Sequence, residues 1–195
     1  MSTSAETLAL PARRLPGDLA MWFFILAELT VFAILILTFA VMQRLDPRLF
    51  AESRAALDSS IGLALTLSLL TSGLLAALAV EAVRRQRQGR AALLLLAGLG
   101  SACLYVVLKL EEYGHLAGLG LDIEHNTFFT LYWILTGFHF LHVLLGMVIL
   151  AWLAERCRRR AYDAGQHGGL ESGVLYWHMV DLVWVVLFPL VYVLN

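Results

Sequence analysis

The chain has 195 residues, of which 60% are hydrophobic and only 15% are charged, and its mean hydropathy is +0.77. Because soluble domains average about 45–50% apolar and about 25% charged residues, this composition predicts a membrane protein and excludes an ordinary soluble domain. The net charge of −1 gives no sign of nucleic-acid binding, and the two cysteines lack the spacing of a metal site or of a disulfide framework.

Five apolar stretches are long enough to cross a bilayer, which takes about 20 residues in a helix. A polar segment, residues 1–18, precedes them and has no signal-peptide pattern. The remainder, residues 19–195, is predicted to be one all-α domain, a five-helix antiparallel bundle, because short connections favour antiparallel neighbours. Pro189 predicts a kink in the last helix. The predicted helices cover approximately residues 19–42, 61–83, 91–110, 126–154 and 172–194.

Basic residues predict the orientation of the bundle, because cytoplasmic loops carry the excess of Lys and Arg. With the N-terminus inside, the inner side carries ten basic residues and the outer side four, counting Lys109 at the edge of the otherwise acidic loop before the fourth helix. We therefore expect an N-in, C-out protein in a bacterial inner membrane.

Ionisable residues interrupt three of the five stretches, and such groups inside a membrane are costly and often functional. Glu28 lies about ten residues into the first helix, or roughly 15 Å along it. It is a candidate proton-transferring group, and a neutral carboxyl bonded to a neighbouring helix is the structural alternative. The others are His139 and His142 in the fourth helix, and His178 and Asp181 in the last helix.

The two histidines of the segment GFHFLH, residues 137–142, share one helical face. A contact with Asp181 on the last helix would satisfy both partners and fix the imidazole tautomer. Haem or metal binding remains an alternative. Two histidines at this spacing on one helix cannot take opposite faces of one haem, although either of them could do so together with His178 in principle. The glutamate-rich motifs of a di-iron bundle are also missing. A buried hydrogen-bond network therefore explains these residues better than a metal site.

Two segments near the C-terminus resemble the haem-copper oxidase subunit III family, which serves cytochrome c and quinol oxidases. They are LYWILTGFHFLHVLLG, residues 131–146, and GGLESGVLYWHMVDLVWVVLFPLVY, residues 168–192. The family's lone intramembrane glutamate matches Glu28. The residues that match its motifs are Thr136, Gly137, Gly146, Glu112, Glu171, Trp177 and Trp184.

The resemblance implies a subunit that binds no haem or copper itself and packs against a catalytic subunit I. That subunit would contain haem with copper or with non-haem iron. The resemblance also implies binding of membrane phospholipid, with Arg156 contacting a lipid phosphate, and support of proton uptake through Glu28. Longer family members have two further helices before these five, and their lipid cleft involves those helices.

The segment LPGDLAMWFFILAEL, residues 15–29, looks most like the short five-helix members associated with nitric oxide reductase. We therefore expect a non-catalytic accessory subunit of a nitric oxide reductase or a terminal oxidase. Two other hypotheses remain open at this point. One is an independent proton or small-solute channel built around Glu28, and the other is a haem or metal enzyme in its own right.

Overall fold

A computed structural model describes residues 19–162 and 168–194, so the predicted polar segment 1–18 lies outside the described residues. Within the described ranges the regular structure is all helical and contains no strand. The helices are α1 (Leu19–Leu45), α2 (Pro47–Arg54), α3 (Ser59–Arg84), α4 (Gln88–Gly118), α5 (Thr127–Arg158) and α6 (Gly168–Phe188), and a π-helical turn (Pro189–Val193) continues α6.

Five of these helices are long and apolar enough to cross a membrane: α1, α3, α4, α5, and α6 with its π-helical turn. The predicted all-α class and the five spans are therefore confirmed. The largest difference in bounds is at α4, which was expected to end near residue 110 and continues to Gly118. It continues because Lys109 and Glu112, which follow Leu108, turn inward and bond to each other inside the protein.

Side-chain caps define where several helices begin. Asp46 accepts a hydrogen bond from the backbone N–H of Leu49 and starts α2, a short helix that the hydropathy pattern did not predict. Asp58 accepts from Ser60 N–H at the start of α3, and Asn126 accepts from Phe129 N–H at the start of α5. Such caps satisfy N–H groups that lack a partner within the helix.

Helices α3, α4, α5 and α6 pack around a common core, and α1 packs on the outside, mainly against α5 and α6. Consecutive spans alternate in direction. At one end of the bundle Arg84, near the end of α3, pairs with Glu171 near the start of α6. At the other end the side chain of Asn126 donates to Ser53 in α2. Because α1 packs against α5 and α6, Glu28 faces α5 and not α3, the next span along the chain.

The last helix changes from α to π geometry at Pro189, the residue at which the sequence predicted a kink. Proline has no N–H to continue an α-helix, and the chain forms a π-helical turn closed by Leu194 N–H and Pro189 C=O at 2.8 Å. The buried Arg54 guanidinium donates to the carbonyls of Val191, at 3.0 Å, and Leu190, at 3.4 Å. Burial lowers the pKa of Arg54, and its contacts with the carbonyls tie α2 to the end of the bundle.

Candidate functional site

Glu28 and His142 form a pair across the contact between α1 and α5. The Oε2 atom of Glu28 lies 3.0 Å from Nε2 of His142, and both side chains are largely shielded, with exposed fractions of 23% and 11%. The ring of Phe32, one turn along α1, packs edge-on against the imidazole at 5.1 Å between centroids. Tyr176 on α6 donates to the carbonyl of His142 at 3.3 Å. Three helices therefore position this pair.

The geometry limits where protons reside in the pair. Nδ1 of His142 lies 2.8 Å from the carbonyl oxygen of Phe138, which can only accept, so Nδ1 carries a hydrogen. A hydrogen bond between Nε2 and Glu28 then requires one further proton, which lies between Nε2 and the carboxyl oxygen. Either the carboxyl holds it and donates to a neutral ring, or an imidazolium donates to a carboxylate. The pair is therefore suited to hold one proton between α1 and α5.

His139 lies one turn before His142, but its environment is quite different. It is fully buried and stacks on the indole of Trp184, with ring centroids 5.2 Å apart. Tyr105 and Phe32 pack edge-on against it, each at 6.2 Å between centroids. Neither ring nitrogen has a hydrogen-bond partner among the described residues. His139 is thus an aromatic packing group in the core and does not share the contact of His142 with Glu28.

The predicted contact between a histidine of α5 and Asp181 is wrong, since no described residue of α5 bonds to that carboxylate. The nearest histidine to Asp181 is His178 on the same helix, and its Nδ1 lies 3.6 Å from Oδ2, too far for a good hydrogen bond. The Asp181 carboxylate instead packs against Gly73 of α3, where a Cβ atom would lie only 2.0 Å from Oδ2. The expectation failed because α1, rather than α6, supplies the acid for His142.

A second buried cluster centres on Lys109, which sequence reasoning had placed at a loop edge. Its side chain is fully buried, and Nζ donates to Oε2 of Glu112 at 2.7 Å. It also donates to the hydroxyl groups of Tyr132, at 3.1 Å, and Tyr192, at 3.0 Å. Tyr192 in turn donates to the Glu112 carboxylate at 2.8 Å. Helices α4 and α5 and the end of α6 are joined at this point.

Aromatic rings surround the Lys109 ammonium group. The rings of Tyr113, Tyr132, Trp184 and Tyr192 lie with their centroids 4.8–5.7 Å from Nζ. Such cation–π contacts compensate part of the cost of burying a cation. Lys109 is the single lysine of the chain and stands three residues before Glu112, a spacing that places both on one helical face. That spacing was the signal that could have revealed the pair.

Two hydroxyl groups continue the polar contacts between the helices. Tyr113 on α4 donates to Thr136 at 2.9 Å, and Thr136 donates to the carbonyl of Tyr132 at 2.6 Å. The indole N–H of Trp184 on α6 donates to Thr66 on α3 at 2.9 Å. Both motif residues, Thr136 and Trp184, thus satisfy buried polar groups between helices.

The two motif glycines of α5 occupy different environments. Gly146 lies directly under the buried indole of Trp177, where a Cβ atom would be 2.5 Å from a ring carbon. Gly137 has open space where a Cβ atom would be, with no atom within 4 Å among the described residues. Gly146 therefore lets α5 and α6 approach each other, whereas Gly137 has no such role in packing.

Two charged residues at the end of the bundle opposite to Lys109 also matched the family. Glu171 forms an ion pair with Arg84 at 2.7 Å between Nη2 and Oε1, so it links the start of α6 to α3. Arg156 is exposed, and its guanidinium lies 5.2 Å from the ring centroid of Trp152 and 5.4 Å from that of Tyr162. Burial raises the pKa of Tyr162. The guanidinium of Arg156 is held by these rings at the end of α5.

The fold and these buried contacts define a class: a multi-span helical membrane protein whose polar side chains join its helices. In residues 19–162 and 168–194, no three His, Cys, Asp or Glu side chains are grouped so as to hold a metal ion. The family model for cytochrome c oxidase subunit III matches residues 17–195. The chain therefore belongs to the cytochrome c oxidase subunit III family.

Individual relatives agree with this family. The probable quinol oxidase subunit 3 of Staphylococcus aureus is 27% identical over 195 residues, which cover 98% of this chain and 97% of that protein. The cytochrome c oxidase subunit 3 of Thermostichus vulcanus is 37% identical over 91 residues. That second match spans 46% of this chain and 45% of the relative. The similarity to the quinol oxidase subunit thus covers all the described helices.

Proposed function

We propose that the protein is a non-catalytic accessory subunit of a haem-copper respiratory enzyme, and that it packs against the catalytic subunit I and stabilises it. The observation that carries this proposal is the family match over residues 17–195. The partner would contain the redox centres, haem with copper in an oxidase or haem with non-haem iron in a nitric oxide reductase. In this proposal the buried polar groups of this chain join its helices, and the pair of Glu28 with His142 binds a proton.

The identity of the partner is the finer part of the proposal. The named relatives are oxidase subunits, which supports a terminal oxidase. The resemblance of residues 15–29 to the nitric-oxide-reductase-associated members supports the second partner. Affinity purification of the tagged chain in mild detergent should recover a haem-bearing subunit. Consumption of oxygen or of nitric oxide by the purified complex then distinguishes the two enzymes.

Recovery of the chain alone, folded and without haem, from cells that express the candidate oxidase and reductase would contradict the proposal. Liposomes that contain only this chain provide a further control. A proton leak above background from those liposomes would favour the independent channel over the accessory subunit.

We also propose that the N-terminus is inside and the C-terminus outside, in a bacterial inner membrane. The bundle end formed by the α3–α4 turn and the end of α5 carries eight arginines in the described residues. At the opposite end, Arg54 and Lys109 are buried in contacts with the protein, so among the described residues the exposed lysine and arginine side chains there are Arg44 and Arg48. The asymmetry in exposed positive charge is therefore larger than the sequence count suggested.

Glu28 is proposed to support proton uptake by the complex through its pair with His142. The substitution Glu28→Gln provides a sharp test, because an amide N–H can still donate to Nε2 of His142 but cannot transfer a proton. We expect Glu28→Gln to assemble normally and to inactivate faster during turnover than wild type. The matched control is Glu124→Gln, the same change in the exposed α4–α5 loop. Equal inactivation rates in all three proteins would show that Glu28 is structural.

Phospholipid binding at Arg156 belongs to the same proposal. The exposed guanidinium, held between Trp152 and Tyr162, is placed at the end of a membrane span where phosphate groups are expected. Replacement by Gln should reduce the phospholipid retained by the purified chain without changing its helix content. Unchanged lipid retention would remove Arg156 from the proposal.

A further inference from the structure

The eight arginines at the basic end of the bundle divide into three groups by their contacts. Arg84 pairs with Glu171, Arg85 pairs with Glu81, and both Arg158 and Arg159 pair with Glu155. Arg156 packs on aromatic rings. Three further arginines have no carboxylate partner among residues 19–162 and 168–194, and they come from two stretches of the chain, the start of α4 and the residues after α5. They are Arg87, Arg90 and Arg160.

All three of these arginines line one cavity of about 430 Å³. The remaining lining residues, Gln86, Gln88 and Gly89, carry no charge. Three guanidinium groups facing one space without an anion repel one another, and each presents a planar set of donors that suits the oxygens of a phosphate group. The cavity therefore has the charge and the donor chemistry of a phosphate site.

The cavity is held in place by a contact between these two stretches. The side-chain amide of Gln88 donates to the carbonyl of Tyr162 and its oxygen accepts from Tyr162 N–H. This fixes the residues that follow α5 against the α3–α4 turn and places Arg160 beside Arg87 and Arg90. Arg160 itself has a positive φ of 53°, which sets the direction in which the chain leaves α5.

The backbone adds to the positive potential of this space. The helix α4 begins there, and its N-cap residue, Arg87, makes no side-chain capping hydrogen bond. The N–H groups of the first turn of this 31-residue helix therefore face the α3–α4 turn, with the positive end of the helix dipole.

A groove with charged residues at one end and apolar residues at the other adjoins the arginines on the membrane side. Arg87 and Arg90 also line a second cavity of about 180 Å³ between α3 and α4. Its other walls are the ion pair of Glu81 with Arg85 and the apolar residues Leu78, Ala82 and Leu94. The apolar residues lie further along the two helices toward the membrane interior. A soluble phosphate would need only the polar cavity. A phosphate that is joined to an acyl chain would occupy both spaces.

We propose that the α3–α4 turn and Arg160 form a binding site for an anionic phospholipid. The phosphate lies among Arg87, Arg90 and Arg160, and an acyl chain lies along Leu78, Ala82 and Leu94. This site is distinct from the one proposed at Arg156 and does not depend on the identity of the partner enzyme. Basic pockets between helices on the cytoplasmic side of membrane proteins are suited to such lipids.

The test compares two double variants of the full-length chain that lose the same charge at the same end of the bundle. The site variant is Arg87→Gln with Arg160→Gln, and the control is Arg158→Gln with Arg159→Gln. Delipidated protein in detergent is titrated with phosphatidylglycerol, phosphatidylcholine or inorganic phosphate, and bound lipid is counted by native mass spectrometry. We expect the site variant to bind phosphatidylglycerol about tenfold or more weakly than wild type, and the control to bind it normally.

Three outcomes would overturn the proposal. Equal loss in the two double variants would mean that total charge, rather than this site, attracts the lipid. Equal binding of phosphatidylglycerol and phosphatidylcholine, or competition by millimolar inorganic phosphate alone, would remove the anionic lipid as its ligand. Loss in Arg156→Gln but not in the site variant would place the lipid at Arg156 instead.

Discussion

Lys109 shows how a charged side chain can lie in the interior of a membrane protein. Its ammonium group has a carboxylate, two phenol hydroxyls and four aromatic rings around it, and none of its surface is exposed. Removal of one partner from a buried pair leaves an uncompensated charge, which costs much more than the net contribution of the pair. Loss of Lys109 would therefore leave the neighbouring Glu112 carboxylate without its cationic partner.

The substitution Lys109→Met tests this dependence. It keeps a similar side-chain volume but leaves the Glu112 carboxylate with Tyr192 alone, and we expect a loss of about 3–5 kcal/mol in unfolding free energy. The double variant Lys109→Met with Glu112→Gln removes both charges and should recover most of this loss. Denaturant unfolding in detergent measures both. Arg48→Met, in an exposed pair with Glu52, is the control and should change little.

If the double variant is as unstable as Lys109→Met, the cost comes from packing around the lysine rather than from the unpaired carboxylate. The prediction also separates the two buried clusters. Both substitutions are on α4, so neither should change the contact between Glu28 on α1 and His142 on α5.

At the scale of the helices, two glycines in one motif turn out to have different roles. Gly146 meets the rigid Trp177 indole, so a methyl group there forces α5 and α6 apart, and Gly137 meets no described atom within 4 Å. We expect Gly146→Ala to lower the unfolding free energy by roughly 1–3 kcal/mol. Gly137→Ala should leave stability unchanged or raise it slightly, because alanine favours helix. Thermal unfolding of the two variants in one detergent makes the comparison, and equal effects would contradict it.

The sequence predicted the spans well and the contacts between them poorly. Hydropathy located all five spans, and Pro189 located the change of geometry in the last one. Hydropathy placed the end of α4 too early, because Lys109 and Glu112 look like loop residues until their common helical face is considered. It named Glu28 and His142 separately, yet it could not pair them, because the pairing depends on α1 packing against α5. Helical periodicity within one span carries no information about its neighbour in space.

At the scale of the whole molecule, the alternating helices give the bundle two ends of opposite character. The α3–α4 turn and the end of α5 are rich in arginine, whereas the loop between α4 and α5 contains Asp122 and Glu124. The buried positions of Arg54 and Lys109 make this contrast sharper, since basic residues that are enclosed by the protein do not lie on the membrane surface. The proposed lipid site lies at the basic end, where an anionic leaflet would meet it.

Orientation can be tested with single cysteines at the two ends. In a Cys103→Ala, Cys157→Ala background, Gln86→Cys reports on the α3–α4 turn and Glu124→Cys on the α4–α5 loop, and both positions are exposed. A maleimide that cannot cross membranes is added to intact spheroplasts. We expect it to label Glu124→Cys at once and Gln86→Cys only after permeabilisation, because the basic end should remain in the cytoplasm. The reverse labelling pattern would invert the proposed topology and place the three unpaired arginines outside the cell.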